Sequence, residues 1–359
     1  MPKKSPAAPT SPPESCFVNE LRGENPPSFA TMKNLYAMAG ELFALRPWDL
    51  LDEDHLILVR DPDSGEFCYC SVMGAMGEVF SMHAYVGAEG YRMFRKISDG
   101  VGTDAAEFLA TQNCVYVEFV PRNELDAPDR KLLARLDHPS GKGTAAPIFR
   151  ALRPGYHPWY VTAEEAGLLA TCLRAVIAVC SEIARTGKTP YWQMAGAYPI
   201  FVPTENSWRI ELIEPVLPPE PPLSPAQTGL EATVSIRNRD YPVRGVIELD
   251  YFVSLIAVGR KGERKACTAV ALAVDGDSGI VYKPELASPQ TSAGDMLARA
   301  LIGTIRETSA FPSEVRLRNS RVKDCLAPFA ESLGLSLRVV PQLPAMDEAR
   351  ESLLRYFAG

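Results

Sequence analysis

Histidine is scarce in this chain. Four of its 359 residues carry an imidazole, His55, His83, His138 and His157, and none stands in an HxH or HExxH spacing. Compact zinc hydrolase sites need such paired imidazoles, so that chemistry has no motif here. The eight cysteines include no CxxC pair, which removes zinc-ribbon and thioredoxin-type sites. Most of them sit in apolar runs, as reduced thiols used as small hydrophobes do. Neither GxxxxGK[ST] nor GxSxG occurs, so no P-loop or nucleophile elbow is indicated. No unbroken run of 18 apolar residues is visible, and no apolar h-region follows Met1-Pro-Lys-Lys-Ser. These absences predict a cytoplasmic protein without disulfides and without a membrane partner.

A long basic run is also missing. The net charge is −7, yet residues 229–359 hold 17 Lys and Arg against 16 Asp and Glu, so the acidic excess lies in the first 228 residues. That excess argues against nonspecific nucleic-acid binding by the N-terminal half. Residues 230–359 are permissive for nucleic acid, but charge does not point to it.

What the chain has is enough apolar sequence for two cores, with 46% hydrophobic and 23% charged residues. Residues 1–27 are rich in Pro and Ser and read as a disordered tail. Six prolines in Pro215–Pro225 mark an extended linker, taken as 214–229. Residues 28–213 alternate helical and strand periodicity and are expected to form an α+β domain with an antiparallel sheet. Helices are expected over 28–45 and 163–185, and hairpin strands over 55–60, 66–73 and 79–86. Asp61-Pro-Asp-Ser-Gly65 and Asp275-Gly-Asp-Ser-Gly279 begin like calcium loops. The bidentate Glu of such loops is replaced by Val72 and Leu286, so both read as hairpin turns. Residues 230–359 give the order βββαβαβα, with a third strand beginning at Ile280–Tyr282.

That order resembles the RNase H-like fold of RNase H and retroviral integrases. The resemblance covers residues 246–359 and rests on Asp250 in the first strand, the Val274–Gly279 hairpin and Pro312 before the fourth. The whole chain also resembles a group of uncharacterised bacterial two-domain proteins of unknown function. Trp48-Asp49, Asp61–Gly74, Gly77-Glu78 and Tyr85–Gly90 carry that likeness. The nuclease resemblance implies carboxylates converging on two Mg²⁺ ions. Candidates are Asp250 on the first strand, Asp347, Glu348 and Glu351 on the last helix, and Asp295 or Glu307 on the first. The fourth strand ends in Arg318-Asn319 where the resemblance implies an acid, and a guanidinium repels a cation. The domain is therefore expected to be catalytically degenerate.

A second candidate set is Cys68, Cys70 and His83, three zinc ligands if adjacent strands bring them together. Two buried cysteines in a core are the plainer reading. Gly87-Ala-Glu-Gly90 could cradle an anion at a helix start or could simply be a turn. Three functions follow. A non-catalytic interaction or regulatory protein with an unidentified protein partner leads. A divalent-metal-dependent nuclease or nucleic-acid-processing enzyme, with Mg²⁺ as its cofactor, and a small-molecule-binding protein acting through residues 28–213 are the alternatives.

Overall fold

A computed structural model describes residues 16–17, 20–102, 104–136, 145–188, 192, 197–203, 208–217, 219–227 and 230–358. Helix α1 (Phe29–Leu45) starts where expected, because the Ser28 side chain accepts the Thr31 amide. Strands β1 (Ile57–Arg60), β2 (Phe67–Met73) and β3 (Phe80–Val86) pair antiparallel in succession. Helices α2 (Gly87–Ser98) and α3 (Ala105–Thr111) follow, then β4 (Cys114–Pro121), α4 (Ala127–Arg135), β5 (Ala145–Leu152) and β6 (Trp159–Tyr160). Helix α5 (Ala163–Thr186) opens with a capping box of Thr162 and Glu165 and ends at Gly187 in the left-handed region. The closing strands are β7 (Tyr198–Pro203) and β8 (Trp208–Ile213). The eight strands form one sheet in the order β6-β5-β4-β3-β2-β1-β7-β8, and β1 and β7 run parallel.

Period-2 alternation sends Cys68, Cys70, Met82 and Ala84 to one face, where α1 and α5 cover them, and Tyr69 and Tyr85 to the other, under α2. Helix α5 is long and apolar enough to cross a membrane, although charged residues interrupt its apolar run. However, 67% of its most apolar stretch is buried inside the protein. The Gly87–Gly90 segment is the first turn of α2, and a Cβ on Gly90 would lie 2.6 Å from the Asn113 carbonyl oxygen. Close packing of α2 on the sheet thus accounts for that glycine.

The tail assignment is corrected over its described part. Cys16, Phe17 and Leu21 are buried in the core of the first domain, and the Asn25 carbonyl accepts the Ala163 amide at the start of α5. Three apolar side chains among the Pro and Ser suffice to anchor the segment. Residues 1–15 lie outside the described residues.

In the C-terminal half, an unanticipated helix α6 (Leu230–Arg237) comes first and buries Ile236. The remaining elements are β9 (Val246–Val258), β10 (Ala266–Asp275), β11 (Glu285–Ala287), α7 (Ala293–Thr308), β12 (Glu314–Leu317), α8 (Ser320–Leu333), β13 (Leu337–Val339) and α9 (Pro344–Ala358). The sheet order is β11-β10-β9-β12-β13, with β10 antiparallel to both neighbours and β12 and β13 parallel to β9. Helices α7 and α8 cover one face, α9 the other. The third strand is displaced from the expected place. Val281 makes a single bridge to Val274, and regular pairing resumes only at Glu285. Pro284 has no N–H to continue the ladder between them.

Both D-x-D-S-G segments are turns. Asp61 accepts the amides of Asp63 and Ser64, and Asp275 those of Asp277 and Ser278. Each leading carboxylate is thereby committed to its own loop.

The two halves interlock. The tip of the β9–β10 hairpin reaches the first domain, where the amides of Cys267 and His157 donate to the carbonyls of Gly155 and Lys265, at 2.8 and 2.9 Å. Arg264, 3% exposed at its side chain, donates to Glu24 (3.2 Å), Glu165 (3.1 Å) and the carbonyls of Ala151 (3.2 Å) and Tyr160 (3.3 Å).

Candidate functional site

Strand β9 is central in its sheet, and its alternation decides what each residue meets. Ile247 and Leu249 join the core beneath α7 and α8, whereas Phe252 packs with the residues beneath α9. Glu248 and Asp250 share the Phe252 parity, so two carboxylates, each 2% exposed, lie beneath α9. Burial of a carboxylate is costly unless it is hydrogen-bonded or paired, and both are. Glu248 Oε2 accepts the Met346 amide at 2.8 Å and so caps the first turn of α9. Asp250 Oδ1 accepts the Tyr251 amide at 2.9 Å. Asp250 Oδ2 accepts from Arg318 Nε at 3.0 Å and from Arg350 Nη1 at 3.4 Å.

Arg318 lies just beyond the end of β12, next to β9. Its other arm donates to Asp347 Oδ1 at 2.5 Å. One guanidinium therefore spans the acid of the central strand and an acid of the last helix. Burial works against its charge, but the bonds to Asp347 and Asp250 outweigh that and hold its pKa above the ordinary arginine value. Arg350 lies over the Phe252 ring, 4.3 Å from its centroid. Two guanidiniums thus already occupy Asp250 and Asp347 at the place where the nuclease resemblance would put a cation.

Of the sequence candidates, Asp250 and Asp347 come together, through Arg318. Glu348 and Glu351 are exposed, and Glu351 lies 3.8 Å from Arg355 on its own helix. Asp295 accepts the Gln227 amide at 2.7 Å, and Glu307 is exposed. The zinc set does not converge. Cys70 pairs with Ala84 and Ser71 with His83, so His83 projects from the opposite face to Cys68 and Cys70. The two thiols instead interact with Cys172 of α5. That contact and burial push the Cys68 thiol well above its usual range, which disfavours thiolate chemistry. Among the described residues, no group of three or more His, Cys, Asp or Glu is placed to hold a metal ion.

Sequence reasoning missed Glu248 and Arg350. Both had a signal. Glu248 is two residues before Asp250 on a strand, and Arg350 three after Asp347 on a helix, so each shares a face with a candidate already named.

The first domain holds a second buried charge cluster. Arg150 donates to Asp129, and to Asp126 at 3.1 Å, while the Tyr160 hydroxyl donates to Asp126. Burial pushes the Asp129 carboxyl up to about 6 despite Arg150. Its members come from α4, its cap, β5 and β6, and these bonds tie α4 to the sheet.

Residues 33–195 match a family model described as Domain of unknown function (DUF7309). Residues 236–354 match one described as Domain of unknown function (DUF6930). No curated protein matches the chain. The chain is a two-domain protein whose halves are each similar to a family without an assigned activity.

Proposed function

We propose that the protein acts by binding rather than by catalysis, as an interaction or regulatory protein whose C-terminal domain is a degenerate RNase H-like module. The observation that carries this is Arg318, whose guanidinium joins Asp250 to Asp347 at 3.0 and 2.5 Å. A cation at that position would have to displace two guanidiniums from Asp250, a buried carboxylate already paired with both. Support for the fold comes from the order of elements: three successive antiparallel strands, then two parallel strands each followed by a helix on the edge of β9.

The test is an assay of the full chain on single-stranded DNA, duplex DNA, RNA and hybrid with Mg²⁺ and with Mn²⁺. No cleavage above a buffer control is expected. Cleavage abolished by Asp250→Asn would overturn the proposal and reinstate the nuclease.

A further inference from the structure

A cleft of about 660 Å³ opens between α2 and α3 of the first domain and β9 and α8 of the second. That volume is typical of small-molecule sites. Its apolar lining includes Tyr251, Phe252 and Val253 of β9 with Met93 of α2. The proline-rich linker crosses it as a strap, held by cations from both domains. Arg92 of α2 donates to the Pro219 carbonyl at 2.9 Å, and Arg321 of α8 to the Pro221 carbonyl at 2.9 Å. Between those prolines, the Glu220 carboxylate takes Arg321 at 2.7 Å and Lys96 of α2 at 3.4 Å.

Glu220 is the single ionisable residue between Pro215 and Pro225. The cleft therefore shows, within its own chain, the chemistry it accepts: one acid group carried on an apolar segment and gripped by Lys and Arg from opposite walls. The grip is exchangeable. The Glu220 side chain is 38% exposed, and ion pairs so exposed are weak. Lys96 is already shared with Glu107 at 2.8 Å, so the Glu220 bond is the longer of its two.

We infer that the cleft binds a small amphipathic anion, with its acid group between Lys96 and Arg321 and its apolar body on Tyr251, and that Glu220 is the built-in occupant this ligand displaces. The site goes beyond the degenerate nuclease module and does not depend on whether that module cleaves. A carboxylate or a phosphate could supply the acid group, and the test separates the two.

The experiment titrates the full chain with the fluorescent aromatic sulfonate 8-anilinonaphthalene-1-sulfonate. One saturable site is expected. Arg321→Gln and Lys96→Gln should each weaken it about tenfold, the scale of one charge-assisted hydrogen bond. Glu220→Gln should tighten it, because the competing carboxylate is gone. Glu220 is on an exposed strap, so this variant keeps its core and stays informative even if a cation variant unfolds. Arg185→Gln, at the far end of α5, should change nothing. Octanoate and AMP then compete for the site, displacement by the first assigning a carboxylate ligand and by the second a phosphate. Affinity insensitive to all three cleft variants, or failure of both competitors, would overturn the inference.

Discussion

Arg318 and Asp250 are unequal partners: the arginine side chain is 30% exposed and the aspartate 3%. Removing the arginine therefore strands a buried charge, whereas removing Asp347, at 50% exposure, frees a solvated one. Arg318→Ala should cost about 3 kcal/mol, toward the low end for a broken buried pair because Arg350 remains. Asp347→Ala should cost no more than about 1 kcal/mol. Urea midpoints of the two variants compare them directly, and equal small losses would mean that the clamp does not hold Asp250. His83 tests the other domain. Burial pushes its imidazole down to about 4, so the folded state binds the proton less readily than the unfolded chain, with its pKa of about 6.5. Its contribution is complete above the unfolded value and is lost as pH falls toward the folded one. His83→Gln should flatten the loss of stability between about pH 6.5 and about pH 4. An unchanged slope would show that His83 protonates freely in the folded state.

At the scale of elements, α9 depends on β9 for its first turn. Met346 and Ala349, with Leu343 just before the helix, pack on β10, and Glu248 supplies a buried carboxylate to the Met346 amide. Glu248→Ala should cost about 1–2 kcal/mol, as for loss of a helix cap. The loss should be local. Amide exchange should quicken in α9 and stay slow in α7, whose start is capped separately by Ser292. Equal quickening in both helices would place the damage in the sheet. Helix α5 shows the same economy in another form, since Glu165 both closes its capping box and receives Arg264 from the second domain.

The whole molecule is held together at the β9–β10 hairpin as well as by its linker. Arg264 engages two carboxylates and two carbonyls of the first domain, and Cys267 sits in that domain's second apolar cluster. The exposed strap around Val216 should be open to proteases, so limited digestion is expected to nick it. The two fragments should nonetheless elute together in size exclusion. Arg264→Ala leaves Glu24 and Glu165 without this partner and should let the nicked halves separate. Fragments that part without the substitution would show that the hairpin contact is too weak to join the domains.

Much of the local structure was legible in the sequence because its causes are local. Ser28, Thr162 and Ser292 cap helices by reaching amides three residues on, and the Asp61 and Asp275 turns close on their own side chains. Backbone geometry sets the two-residue period that puts Cys68 beside Cys70, and the three-residue step that puts Arg350 beside Asp347. That Arg318 would stand near Asp250 was implied by the RNase H-like resemblance, and the pairing of β12 with β9 puts them side by side. The tertiary structure decided the rest, because it depends on segments far apart in the chain. The pairing of Cys70 with Ala84, and not with His83, separated the proposed zinc ligands. Burial of Cys16 and Phe17 turned part of an expected tail into core, and Glu24 within that segment became a partner of Arg264. The grip of α2 and α8 on Glu220 had no local signature either. Its partners lie more than a hundred residues to either side, and only folding brings their charges to one carboxylate.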